Sequence, residues 1–188
     1  MQNHKHLFRK KLFDFPDINP FENFSFEKLN KENFQQLYLM FEADDSPFTD
    51  HRFKTYADAK EYADYLEDYG AYLPKHGSQD WFFLRKNNYA GILHLYDRSL
   101  ETFAQNNQRC RIGFATRPGL RNIGLTKTVL RYFIRYIFND YPIINYIHAM
   151  TMPENLSSQR FLSAVGFEED FTERVSKEHK FYLMERAG

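Results

Sequence analysis

A single cysteine in 188 residues excludes an internal disulfide and any cluster of thiolate metal ligands. That residue, Cys110, falls in a strand-like run and reads as a buried thiol rather than a nucleophile. Net charge is missing as well, because 25 basic and 25 acidic side chains cancel. The balance argues against a general nucleic-acid binder and against a polybasic membrane anchor. No apolar run is long enough to span a bilayer. The basic stretch Met1 to Lys11 lacks the apolar segment of a signal peptide, so a cytoplasmic location is the default expectation. No spacing of ligand-type residues suggests a metal. There is no internal repeat and no linker.

Apolar and aromatic side chains are plentiful, at 43% and 18% of the chain, enough for one sizeable core. Residues 1–188 therefore read as a single domain, with 1–23 as an irregular N-terminal arm whose aromatics dock onto it. Phe24 to Leu29 alternates and predicts a first strand. Asn33 to Ala43 and Thr55 to Tyr72 carry helical periodicity, the second with a stripe of Tyr62, Tyr65, Tyr69 and Tyr72. Core packing is the first reading of that stripe. Trp81 to Arg85 and Gly91 to Tyr96 predict a hairpin turning at Lys86 to Tyr89. Strand Arg109 to Thr116, helix Lys127 to Phe138, strand Ile143 to Met150, helix Asn155 to Val165 and strand His179 to Met184 follow. Gly166 suits a left-handed helix end, with Phe167 as its hydrophobic contact. The order predicts an α+β (α/β layered) domain, with helices covering a mixed sheet.

Between the third helix and the strand before it lies Thr116-Arg117-Pro118-Gly119-Leu120-Arg121-Asn122-Ile123-Gly124-Leu125-Thr126. A glycine-containing loop opening a helix is a natural anion cradle, because the first helical N–H groups lack intrahelical partners and the dipole favours negative charge. No Gly-Lys-Ser/Thr follows, so it is not a P-loop, and it is not G-x-G-x-x-G. Downstream come Asn155-Leu156-Ser157-Ser158-Gln159-Arg160 and then Gly166-Phe167.

Together these motifs resemble the cofactor half of a GNAT N-acetyltransferase over residues 112–167, nearest the RimJ/RimL-like branch. Arg121 to Thr126 fits the family loop Arg/Gln-x-x-Gly-x-Gly/Ala except at Thr126. The resemblance implies a mostly antiparallel GNAT-like sheet with helices on both faces and a parallel pair, 109–116 and 143–150, splayed at its C-terminal ends. It also implies acetyl-CoA as co-substrate, no metal, and transfer of the acetyl group to a primary amine. That amine would be a protein N-terminus or a small-molecule amine, with the protein a monomer or homodimer and neither nucleic acid nor membrane as partner.

The resemblance assigns residues as well. Phe114, Ala115 and Thr116 would present backbone N–H groups to the thioester carbonyl. Arg121, Asn122, Ile123, Gly124, Leu125 and Thr126 would hold the diphosphate. Taken alone, Gly124 is simply a turn glycine and Arg121 a solvated charge. Thr126 either crowds the loop or donates to a phosphate. Asn155 is a sufficient helix N-cap and, in the family, a pantetheine contact. Many relatives carry a tyrosine acid where this chain has Leu162, so Ser158 becomes the acid candidate, and Tyr182 the next. Ser158 also has a plain reading, a hydroxyl bonded back to its own helix. For the base, His94 and Asp97 stand at the end of a central strand, Glu101 follows and His148 lies in the strand before Asn155; taken singly each reads as structural or exposed, and His94 is the base candidate. A non-catalytic CoA-binding or interaction domain that kept the fold is the competing function.

Overall fold

The computed structural model describes residues 24–72, 79–96, 109–142, 144–171 and 178–187. The expected N-terminal arm, and Asp97 and Glu101, lie outside these residues, as do the side chains of Tyr69 and Tyr72. Seven strands form one sheet: β1 Phe24–Lys28, β2 Gln79–Arg85, β3 Asn88–Tyr96, β4 Arg109–Thr116, β5 Tyr146–Thr151, β6 Glu168–Glu169 and β7 Lys180–Glu185. Their spatial order is β1-β2-β3-β4-β5-β7-β6. Helices α1 Gln35–Phe41 and α2 Tyr56–Tyr72 precede β2, α3 Leu125–Asp140 joins β4 to β5, and α4 Leu156–Val165 follows β5. A 3₁₀ turn, His51–Phe53, separates α1 from α2.

Strand alternation divides the core in two. Phe82, Leu84 and Ile92 pack with Leu37, Phe41, Phe53, Ala59, Tyr62 and Ala63 beneath α1 and α2. Trp81, Phe83, Leu93, Cys110 and Ile112 pack on the other face with Val129, Leu130, Phe133, Ile137 and Leu162 from α3 and α4. Each fully buried aromatic or aliphatic side chain contributes on the order of 2 kcal/mol by leaving water. Helix α3 shows why it sits there, since its apolar positions recur on one side while Arg131 and Arg135 stay exposed.

Every pairing is antiparallel except β4 with β5. The mixed sheet with one parallel pair is the architecture expected. The parallel ladder joins only Arg109 to Tyr146, Cys110 to Ile147 and Arg111 to His148. Beyond Arg111 the two strands part, so the edge of β4 from Ile112 to Thr116 faces no β5 partner while its other edge stays paired with β3.

Several boundaries differ from expectation for identifiable reasons. The β2–β3 turn is two residues, not four, because Lys86 and Asn87 both adopt positive φ, the requirement of the tightest hairpin turn. Strand β5 starts at Tyr146 rather than Ile143, because the N–H of Ile144 bonds the carbonyl of Tyr141 in the turn at Pro142. The tyrosine stripe on α2 is not a single core face. Tyr62 is buried and Tyr65 is 46% exposed. The short β6 after Phe167 had no alternating run long enough to announce it.

Candidate functional site

The loop between β4 and α3 is shaped by two left-handed residues, Asn122 at φ 62° and Gly124 at φ 80°. Asparagine and glycine are the residues that adopt this conformation most readily. Pro118 begins a 3₁₀ turn, and the N–H groups of Leu120 and Arg121 bond back to Arg117 and Pro118. From Asn122 through Lys127 no backbone N–H finds an acceptor among the described residues, and the first helical bond is Thr128 N–H to the Gly124 carbonyl. Gly124 is the N-cap, with nothing within 4 Å of where a Cβ would stand. The result is an open row of N–H donors at a helix N-terminus, suited to phosphate oxygens.

Side chains brace this loop rather than decorate it. Thr126 is buried, and its hydroxyl lies 2.5 Å from that of Thr116, closing the corner between strand and helix. The Thr126 hydroxyl is therefore engaged with Thr116. Arg121 turns away from the N–H row. Its guanidinium bonds the Thr116 carbonyl and the carboxylate of Asp44, so it is not the solvated charge the sequence alone suggests. Ile123 is exposed and Leu125 is buried, so neither side chain is placed to bond a phosphate.

Phe114 and Thr116 turn their N–H groups to the unpaired edge of β4, whereas Ala115, two residues before the Arg117 N–H that bonds the Ala90 carbonyl, turns its N–H to β3; the Phe114 ring lies against Phe161 of α4 at 4.7 Å between centroids. Across the opening, α4 begins at Asn155, whose Oδ1 accepts the N–H of Ser158 at 3.1 Å. Asn155 is thus an N-cap, and its side-chain amide N–H groups donate to no acceptor among the described residues. The Ser158 hydroxyl makes no hydrogen bond among the described residues, so the bond back to its own helix does not form. Leu162 is buried in the core. Gly166, at φ 118°, ends the helix as expected, and Phe167 N–H bonds the Leu162 carbonyl.

His94 lies on the other face of the sheet, opposite Gly113 of β4. It is 5% exposed, with Nδ1 2.8 Å from Oδ2 of Asp80 on β2. The Tyr62 hydroxyl donates to the same oxygen at 2.6 Å, and the Phe53 ring stacks on the imidazole. Asp80 was not singled out by sequence, because the strand seemed to start one residue later. His148 stands at the last parallel pair, its Nδ1 4.0 Å from Asp170 Oδ2. Tyr182 is buried on β7 opposite Ala149, and burial first, then the Glu169 charge, pushes its phenol above the ordinary tyrosine value against the opposing pull of Lys180. His94 and Ser158 therefore lie on opposite faces of the sheet. Among the described residues no cluster of metal-ligand side chains occurs, and no helix is long and apolar enough to cross a membrane.

Comparisons with known proteins agree with this fold. A family model described as an acetyltransferase (GNAT) domain matches residues 24–168. No curated protein sequence matches the chain. Among solved structures, the microcin C7 self-immunity acetyltransferase MccE, in complex with acetyl-CoA and AMP, superposes with a TM-score of 0.70 at 13% identity, over 92% of this chain and 98% of its own. RimL, the ribosomal L7/L12 α-N-protein acetyltransferase in complex with CoA, gives 0.67 at 13%, over 90% and 96%. A dodecameric spermidine N-acetyltransferase from Vibrio cholerae gives 0.62 at 11%, over 88% and 95%.

Proposed function

The chain belongs to the GNAT acetyltransferase family, and from that premise we propose that it transfers the acetyl group of acetyl-CoA to a primary amine, a protein N-terminus or a small-molecule amine, by direct attack on the thioester. The observation that carries the donor is the unpaired N–H row from Asn122 to Lys127, set beside the unpaired edge of β4. Two of the similar structures hold acetyl-CoA or CoA, which supports the same donor here.

The bound donor supplies an activated acyl group and a thiolate leaving group. The chain's own residues do the rest. N–H groups at Asn122, Ile123, Gly124, Leu125 and Thr126 hold the diphosphate. The open edge offers the N–H groups of Phe114 and Thr116 to the thioester carbonyl, where they stabilise the charge that develops on its oxygen. Asn155 contributes its free amide hydrogens to the pantetheine chain. Ser158 gives its proton to the departing sulfur, a role its unengaged hydroxyl suits, with Tyr182 as the alternative donor. His94 accepts the amine's proton.

Incubation with acetyl-CoA and a panel of N-terminal peptides and polyamines tests the reading. Thiol release together with an acetylated product by mass is the expected result. CoA binding without turnover on any amine would favour the non-catalytic domain, which the buried Leu162 in place of a tyrosine acid keeps open.

A further inference from the structure

The carboxylate of Asp44 is 1% exposed, yet it sits in the connection after α1, 77 positions from the loop it holds. Arg121 Nη1 donates to Asp44 Oδ1 at 3.1 Å and Nη2 donates to Oδ2. The Nε of Arg121 donates to the Thr116 carbonyl at 3.1 Å, and Nη2 reaches Thr49 Oγ1 at 3.4 Å. Asp44 accepts further bonds from the Thr49 hydroxyl and the Ser46 N–H. These contacts occupy most of the five guanidinium donors and neutralise the charge.

We propose that Asp44 is a positioning residue for the donor loop and that Arg121 serves that loop as a strut rather than as a phosphate ligand. The inference rests on the donor site assigned above. Its physical logic is preorganisation. Past Arg121 the loop has no backbone bonds of its own until α3 begins. Donors that must be ordered on binding lose affinity to conformational entropy, whereas donors held in place beforehand do not. The Asp44–Arg121 fork fixes the residue just before the N–H row, and the Thr116–Thr126 contact fixes the residue inside it. The same connection continues to Phe53, whose ring stacks on His94, so one short segment spans from the donor loop to the proposed base.

The two roles for Arg121 predict opposite signs. If its charge bound phosphate, Asp44→Asn would release the guanidinium and leave CoA affinity unchanged or tighter. A strut predicts the reverse. Calorimetric titration of CoA into wild type, Asp44→Asn, Arg121→Gln, Arg121→Lys and the double variant Asp44→Asn/Arg121→Gln separates them. The expected result is a Kd about tenfold weaker in each single variant, on the order of 1.4 kcal/mol. The double variant should be no weaker than the worse single, because both changes break one device. Arg121→Lys matters because it keeps the charge and loses the fork. It should behave like Arg121→Gln. In turnover, Asp44→Asn should raise KM for acetyl-CoA while kcat stays within about twofold, the pattern of lost ground-state binding.

Wild-type CoA affinity in Asp44→Asn, or near-normal affinity in Arg121→Lys beside a weak Arg121→Gln, would overturn the strut alone and return Arg121 to the phosphates. Absence of CoA binding by the wild type would overturn the donor site and this inference together. Melting curves on each variant identify any that does not fold, and Arg121→Lys then decides in place of Asp44→Asn.

Discussion

A Cβ added to Gly91 of β3 would stand 2.4 Å from the carbonyl oxygen of Ala115 on β4. It would also meet the Phe83 ring at 2.3 Å. The ring has room to turn only within a packed core, and the carbonyl belongs to the sheet itself. Gly91→Ala should therefore push β3 from β4 where β4 offers its free edge, and destabilise the fold by about 1–3 kcal/mol. Chemical denaturation measures the loss, and acetyl-CoA turnover should fall with it. A variant of unchanged stability would show that β3 and β4 are not so closely apposed.

Gly124→Asp places a carboxylate at the head of the N–H row. The site is open, so no clash arises, and aspartate tolerates a left-handed backbone better than most residues. A stability cost of about 1 kcal/mol is expected, with CoA binding abolished by like-charge repulsion. Gly124→Ala, which adds only the strain, should bind CoA more weakly than wild type yet detectably.

Ser158→Ala removes a hydroxyl that makes no hydrogen bond among the described residues. Its cap bond uses the backbone N–H and survives, so stability should barely change. If Ser158 protonates the leaving sulfur, kcat should drop by about 10²-fold or more, with KM for the donor little altered. Equal kcat in the two proteins, with chemistry shown to be rate-limiting, would remove Ser158 from the acid role and turn attention to Tyr182.

His94→Gln tests the base. An α-amine has a pKa of roughly 7.7–8.0 and is partly neutral near pH 7, whereas a lysine-like amine near 10.4 needs its proton removed. The variant should lose more activity on a polyamine or lysine analogue than on a peptide N-terminus. Loss of equal size on both would mark His94 as structural, held by Asp80, whose Oδ2 also accepts the Tyr62 hydroxyl.

Burial opposes the charge on Asp44, but hydrogen bonds from Arg121, Thr49 and the Ser46 amide outweigh it and hold the carboxyl below the usual carboxylate range. A folded value below the unfolded one, about 3.9, means that the contribution is complete above about pH 4 and fades as pH falls through the folded value. Wild type should lose stability on acidification across that range, and Asp44→Asn should lose less. Parallel acid curves for the two proteins would contradict the assigned pairing.

The fold was legible where periodicity is strong. Arg109–Thr116 has its expected limits, and Leu125–Asp140 extends its expected helix by two residues at each end, because a long apolar stripe leaves little choice of partner. The turn into α3 was legible because a glycine between a strand and a helix marks a backbone need, and Gly124 adopts positive φ. What escaped was long-range. Asp44 looked like a helix stop beside Pro47, and nothing local says that Arg121 claims its carboxylate. Asp80 fell at a strand edge that sequence drew too short, so its pairing with His94 and Tyr62 was invisible. Side-chain pairs across 14 or more positions arise from strand register and helix docking, which one sequence does not reveal.

The central claim is that the backbone N–H row from Asn122 to Lys127 receives the donor's diphosphate. Amide NMR follows those groups directly. Titration with CoA should shift the amide resonances of Ile123, Gly124, Leu125 and Thr126 more than those of any other segment, and desulfo-CoA, which retains the diphosphate, should reproduce the pattern. Saturable CoA binding that leaves these four amides in place while shifting others would contradict the account.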